Sequence, residues 1–230
     1  MRCIVFDASP VISLAMNSLL PVACELKKHY KGSFCITQCV KEEVVDAPLD
    51  TKKFKFQALQ ILRLINDKII TVISSEKFSE LRDKLLQLAN GIYIAKENPI
   101  RIVHRGEMES LAAAVTERAS AYVVDERTTR KLIEEPMVLK EILEQKLHTQ
   151  VKINSSNLDE FKKLVGEIRL LRSFELMIIA FELGILDDYL PETENPKRVL
   201  LEAVLWGLKL DGCAVSQEEI EGMVVSETRQ

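Results

Sequence analysis

Glycine and proline are scarce in this chain, with 8 and 7 among 230 residues. That scarcity argues against a linker-rich, collagen-like or disordered protein. There is no surplus of basic charge either. The 31 Lys and Arg stand against 35 Asp and Glu, for a formal net charge of −4. Nucleic acid is therefore not attracted by the overall field, and any such binding needs a local basic patch. No apolar run approaches the ~18 residues of a membrane-spanning helix, and Arg2 leads into an apolar run too short for a signal-peptide core. The five cysteines form an odd set without a CxxC pair, and Cys35 and Cys39 have no histidine nearby, a poor zinc signature. Buried, reduced thiols in a cytoplasmic protein are the expectation. Neither GxxxxGK[ST] nor GxGxxG occurs, and His29, His104 and His148 form no HxH or HExxH spacing. Nucleotide hydrolysis on a P-loop, dinucleotide redox chemistry and zinc-protease chemistry lose support accordingly.

What is present is a hydrophobic fraction of 47%, enough for a sizeable core, arranged in two alternating patterns. Short β-branched runs at 2–6, 33–36, 69–73, 121–124 and 151–153 read as strands. Helical spacing covers 9–28 (two short helices, or one kinked at Pro21), 38–46, 51–66, 76–90, 107–119 and 126–147. Strands alternating with helices predict an α/β fold with a mostly parallel sheet. Residues 91–105 read as an extended loop or a short hairpin. The last third, with helices expected at 157–172, 173–186, 196–209 and 216–224, contains no flexible linker. One domain is the expectation, with an α/β core over 1–153 and a helical C-terminal part over 154–230 packed on it. Trp206, in an apolar helix, is expected in the core or a subunit contact.

Acids stand where strands end. Asp7 follows IVF and Asp125 follows AYVV, so two strands each deliver a carboxylate to the edge where parallel sheets bind ligands. Glu42 and Glu43 lie on the helix entered from the second strand, and Glu107 opens another after Gly106. Taken singly, Asp7, Glu107 and Asp125 also suit the N-termini of helices. Taken together they repel, since two charges about 4 Å apart cost about 4 kcal/mol at an effective dielectric near 20. A fold holds such a cluster by taking up protons or binding a cation. All-oxygen sites suit Mg²⁺ or Mn²⁺, ions that activate water and stabilise in-line displacement at phosphorus.

The segments IVFDASPVISL, ITQCVKEEVVDAP, RGEMESLAAAV and AYVVDERTTRKL resemble, in order, four motifs of the PIN-domain family of metal-dependent ribonucleases. SFELMIIAFELGIL and LLEAVLWGLKLDGCAVSQEEIEGMV are similar to C-terminal segments of one little-characterised prokaryotic branch. The resemblance thus spans nearly the whole chain, although 76–103 and 155–172 are longer than a minimal member needs. It implies a three-layer α/β/α fold with a central parallel sheet of four to five strands and extra C-terminal helices. It also implies that Asp7, Glu43, Glu107 and Asp125 hold one or two Mg²⁺ or Mn²⁺ ions, with Glu42 the alternate for Glu43. The activity implied is endonucleolytic hydrolysis of RNA to 5′-phosphate and 3′-hydroxyl ends, by a toxin-like protein or an RNA-processing enzyme. An antitoxin-like protein and a second copy of the chain are further partners that such a family member would accept.

Ser9 and Thr128 are candidates to orient ligands or water, and equally helix-cap residues. Arg105, Arg127 and Arg130 flank the proposed acids and suit phosphate oxygens, while Arg127 and Arg130 also have Glu126 and Glu134 within pairing range. The rival function is an inactive PIN-like module that binds RNA or protein. A phospho-acceptor receiver domain wants an acidic pair after the first strand, and a DxD phosphatase wants an acid at position 9. Asp7 stands alone and position 9 is Ser, so both readings fail.

Overall fold

Three strands carry the centre of the molecule because they are buried on both faces, as a parallel sheet covered by helices requires. In the computed structural model, which describes residues 2–228, the first strand β1 is Cys3–Phe6 and all four of its residues are buried. It lies between β2, Ser33–Thr37, and Ala121–Val123, the sixth strand in chain order, β6. The strand β3, Ile70–Ile73, extends the sheet beyond β2, and Leu170–Leu171, the eighth strand β8, closes the other side. The order β3-β2-β1-β6-β8 is parallel throughout. The α/β fold with a five-stranded parallel sheet flanked by helices agrees with the sequence expectation.

Alternation along the strands sorts the core into two halves. Ile4, Phe6, Phe34, Ile36, Ala121 and Val123 face one layer, which includes helices Ala8–Met16, Ser173–Glu182 and Pro196–Leu210. Cys3, Val5, Cys35, Tyr122 and Val124 face the other, which includes helices Ser79–Ala89, Arg105–Thr116 and Ser155–Val165. Trp206 is half-buried against the first layer. Cys3, Cys35 and Cys213 are buried, Cys24 and Cys39 half-buried, and all five are free thiols. Among the described residues no single helix is long and apolar enough to cross a membrane.

Local signals account for most element ends. The 9–28 region is two helices, Ala8–Met16 and Leu20–His29, with Pro21 in the first turn of the second, where its missing N–H costs nothing. Gly184 adopts φ +70° and ends the helix Ser173–Glu182. Its N–H meets the Phe181 carbonyl at 3.0 Å and that of Ile185 meets Ala180 at 2.9 Å, the paired bonds of a left-handed helix stop.

Three expectations needed correcting. The run at 126–147 is two helices, Arg127–Glu134 and Pro136–Leu147, because Pro136 drives Glu135 out of the helical region, to φ −140°. Val151–Ile153 does not join the main sheet. As β7 it pairs antiparallel with β4, Tyr93–Ala95, which also forms a hairpin with β5, Asn98–Pro99. Its exposed Lys152 would be buried in a central parallel strand. The fifth parallel strand is instead β8, inside the stretch expected to be helix 157–172, where two leucines are too few to show a period. The C-terminal third thus contributes to the sheet as well as covering it.

Truncating the fully buried Ile36 should reveal where stability resides. Ile36→Ala should cost about 2–5 kcal/mol in urea unfolding, whereas Leu59→Ala, at a half-exposed site, should stay within about 1 kcal/mol. Equal effects would contradict the assigned core.

Candidate functional site

The chain runs outward from β1 to β2 and β3, then crosses back to β6 on the other side of β1. The crevice outside the carboxyl ends of β1 and β6 is therefore a topological switch point, where open α/β sheets bind ligands. Asp7 stands in it. Its N–H bonds to the Val123 carbonyl at 2.9 Å, and its carboxylate accepts from the Ser9 hydroxyl at 3.4 Å. Asp7 is only 5% exposed. Burial, the charge of Glu107 and the weaker charge of Glu43 push its carboxyl up to about 7, against an opposing N–H from Ala8.

Glu107 arrives on the helix Arg105–Thr116, whose Ala112, Ala113 and Ala114 allow close packing on the sheet. Its Oε2 accepts the His104 N–H at 2.6 Å, so the helix-end role foreseen for it is real. Burial, Glu126 and Glu43 nevertheless raise it to about 6. Glu43 lies in a π-helical turn, Glu42–Asp46, at the exposed rim. Such turns re-aim side chains and recur at functional sites. Glu43 reaches the start of the Glu107 helix, its Oε2 4.0 Å from where a β-carbon at Gly106 would lie. Burial raises Glu43 too, an effect that water at the rim screens. Glu42 points elsewhere, to Gln38 at 3.2 Å.

Asp125 does not join this group through any contact of its own. It is fully buried, and its oxygens accept the Ser173 N–H at 2.8 Å, the Ser173 hydroxyl at 2.7 Å and the Cys213 thiol at 3.3 Å. Burial raises its carboxyl and these bonds oppose the rise. The cause is alternation. Phe6 pairs with Val123, so Asp7 is level with Val124, on the face that carries the helix Arg105–Thr116. Asp125 is one residue further and turns to the opposite face. Glu126 returns to the first face, where its charge acts on Glu107 while its side chain caps the helix Arg127–Glu134 through the Thr129 N–H at 2.6 Å.

Beneath the acids lies Tyr122, fully buried, its phenol held protonated by burial and by Asp7, Glu107 and Glu126. The buried Ser110 hydroxyl sits beside Asp7 and Tyr122 without a well-formed hydrogen bond to either. Glu109, the other acid of this helix, is consumed structurally by Arg82 at 3.3 Å and the Cys39 N–H at 3.2 Å. Among the described residues no three His, Cys, Asp or Glu side chains are gathered tightly enough to grip a metal ion as they stand.

The basic candidates divide. Arg105 is exposed at the start of the Glu107 helix, near Asp83 and Cys39. Arg127 and Arg130 instead line a separate cavity with Arg172 and Lys209. Thr128 is half-buried in the first turn of its helix. Glu126, Tyr122 and Ser110 were missed by sequence reasoning, although counting alternate residues from the strand AYVV would have favoured Glu126 over Asp125. No protein-family model, curated protein or solved structure matches the chain.

Titration of Asp7 has a definite sign. Its folded value of about 7 lies above the ordinary 3.8, so the fold binds more protons than the unfolded chain between those limits. This contribution is complete at low pH and lost as pH rises through about 7. In EDTA the melting temperature should fall between about pH 4 and pH 7. Asp7→Asn should flatten that fall and gain about 1–3 kcal/mol at the upper end. An unchanged slope in the variant would refute the assignment.

Proposed function

We propose that this protein is a divalent-metal-dependent endoribonuclease of the PIN-domain kind. The observation that carries the reading is Asp7: a buried carboxyl at the switch point, with Glu107 and Glu43 close enough to raise it and no cation paired with it among the described residues. A hard divalent cation fits this donor set. The ligands are all oxygen, they repel in the metal-free state, and the Ser110 hydroxyl has no good partner. Asp7 and Glu107, with Glu43 and Glu126 at the rim, would hold one or two Mg²⁺ or Mn²⁺ ions. When bound, the metal would supply an activated water and neutralise charge developing on the phosphodiester.

The chain's own groups have distinct tasks in this reading. Asp7 keeps a proton near neutrality and releases it when a cation takes the proton's place. Ser9 holds one oxygen of Asp7 in position, and Tyr122 and Ser110 close the floor of the crevice against bulk water. Glu43, on its π-helical turn, stays open to an approaching strand. Arg105 meets phosphate at the start of the Glu107 helix. Asp125 ties the sheet to Ser173 and Cys213 instead of holding metal. RNA as substrate, and products ending in 5′-phosphate and 3′-hydroxyl, rest on the family resemblance. A second reading, an inactive module that binds RNA or protein, draws on the absence of a ready-made three-residue grip.

Labelled RNA incubated with Mn²⁺, Mg²⁺ or EDTA decides between them. Cleavage should require the ion and fall about 100-fold or more in Asp7→Asn and Glu107→Gln, the scale of losing one charge-stabilising group. Glu126→Gln should lower activity with the fold unchanged. Asp125→Asn should act through stability, weakening the pairing with Ser173 by about 1–3 kcal/mol. Cleavage that persists in EDTA would sink the metal mechanism, and intact RNA binding without cleavage would favour the binding module.

A further inference from the structure

Away from Asp7 and Glu107, four chain segments enclose a cavity of about 430 Å³. Helix Arg127–Glu134 supplies Arg127, Arg130 and Lys131, and Arg172 follows β8. Lys209 comes from the end of helix Pro196–Leu210, and residues 214–216 and Glu219 close the wall. Five cations thus face one carboxylate, in a protein whose net charge is −4.

The cations differ in how far they are already engaged. Arg172 is 8% exposed and bonded to Glu175 at 2.8 Å, to Glu219 at 3.0 Å and to the Ala214 carbonyl at 3.1 Å. It is a fixed positive wall with few donors to spare. Arg130 reaches the Ala214 carbonyl at 3.3 Å and Glu134 at 3.4 Å, and Lys131 pairs with Glu135. Lys209 donates to the Val215 carbonyl and forms no ion pair among the described residues. Arg127 is exposed and carries neither hydrogen bond nor ion pair there. Gathering this many like charges costs free energy that Glu134, Glu135, Glu175, Glu219 and, beside Lys209, Glu218 offset, while Arg127 keeps no such partner among the described residues. An anion entering between Arg127, Lys131 and Lys209 would offset the remainder. The volume exceeds what one inorganic ion fills and falls within the ~300–1,000 Å³ of small-molecule sites.

We infer that this cavity is a binding site for a phosphate-bearing ligand of nucleotide size, held by Arg127, Lys131 and Lys209 against the Arg172 wall. The shared chemistry is a terminal phosphate or polyphosphate, carried by the 5′-end of an RNA strand or by a free nucleotide. The site stands apart from the nuclease reading, because Asp7, Glu43 and Glu107 do not line it.

The test is calorimetric titration of the full chain in EDTA, so that no metal chemistry contributes. The probes are inorganic pyrophosphate, a nucleoside triphosphate, and one short single-stranded RNA with either a 5′-phosphate or a 5′-hydroxyl. Saturable pyrophosphate binding is expected. It should weaken about 10-fold or more in Arg127→Ala and in Lys209→Met, as for loss of one charge-assisted hydrogen bond. Arg198→Ala, at the opposite end of the Lys209 helix, and Asp7→Asn should bind pyrophosphate as the parent does. A strand end is the source if the 5′-phosphate tightens RNA binding about 10-fold while the triphosphate binds no better than pyrophosphate. A free nucleotide is the source if the triphosphate is the tighter ligand and the two RNAs bind alike. Among the described residues Arg127 has no hydrogen-bond or ion-pair partner, so its variant tests the site even where Lys209→Met disturbs the Val215 contact. No saturable binding of any probe, or full binding by Arg127→Ala, overturns the inference.

Discussion

A carboxylate with no ion-pair partner among the described residues, placed at the centre of the sheet's ligand-binding edge, is the constraint around which this molecule is organised. Asp7 follows a fully buried strand, and its neighbours there add to its difficulty through the charges of Glu107 and Glu43. Proteins that need only a helix cap leave such an acid exposed or surround it with N–H donors. Here the Ala8 N–H, a long hydrogen bond from the Ser9 hydroxyl and the nearby Ser110 hydroxyl are the help it receives. The energetic strain is retained because the sheet and its Ala-rich helix hold the groups together whether or not a cation is there. Perturbed carboxyls with a common physical cause at a switch point are what a metal-dependent hydrolase would require, and they motivate the function proposed above.

The two acids after β6 show how finely a sheet edge discriminates. Asp125 and Glu126 are adjacent, yet pleating sends them to opposite layers. Asp125 becomes an anchor for the C-terminal part, tying Ser173 and Cys213 to the sheet, and the Ala214 N–H bonds back to the Asp125 carbonyl at 3.2 Å. Glu126 caps a helix on the other layer and adds its charge to the acidic crevice. A motif match points to the first acid, while the register of β1 against β6 turns the second toward Glu107.

Positive charge is partitioned with comparable consequence. Arg105 stays beside the acids, whereas Arg127 and Arg130 join Arg172 and Lys209 around a cavity built largely by the C-terminal third. That third therefore does more than cover the sheet. It completes the sheet with β8, engages Asp125, and brings cations together on an otherwise acidic protein.

Much of this was legible in the residues themselves. Apolar runs ending in acids located β1 and β6, the Ala-rich stretch after Gly106 announced a closely packed helix, and Pro21 marked a break between helices, because each signal acts within a turn or two of chain. What tertiary structure alone decided was pairing and facing. Whether VKI or LL became the fifth parallel strand depended on which edge each could reach, and whether Asp125 or Glu126 faced Glu107 depended on a register set between strands more than a hundred residues apart. Local patterns state what a segment prefers; long-range contacts choose among preferences that differ by little, and here that choice determined which acid stands in the crevice and which arginines line the cavity.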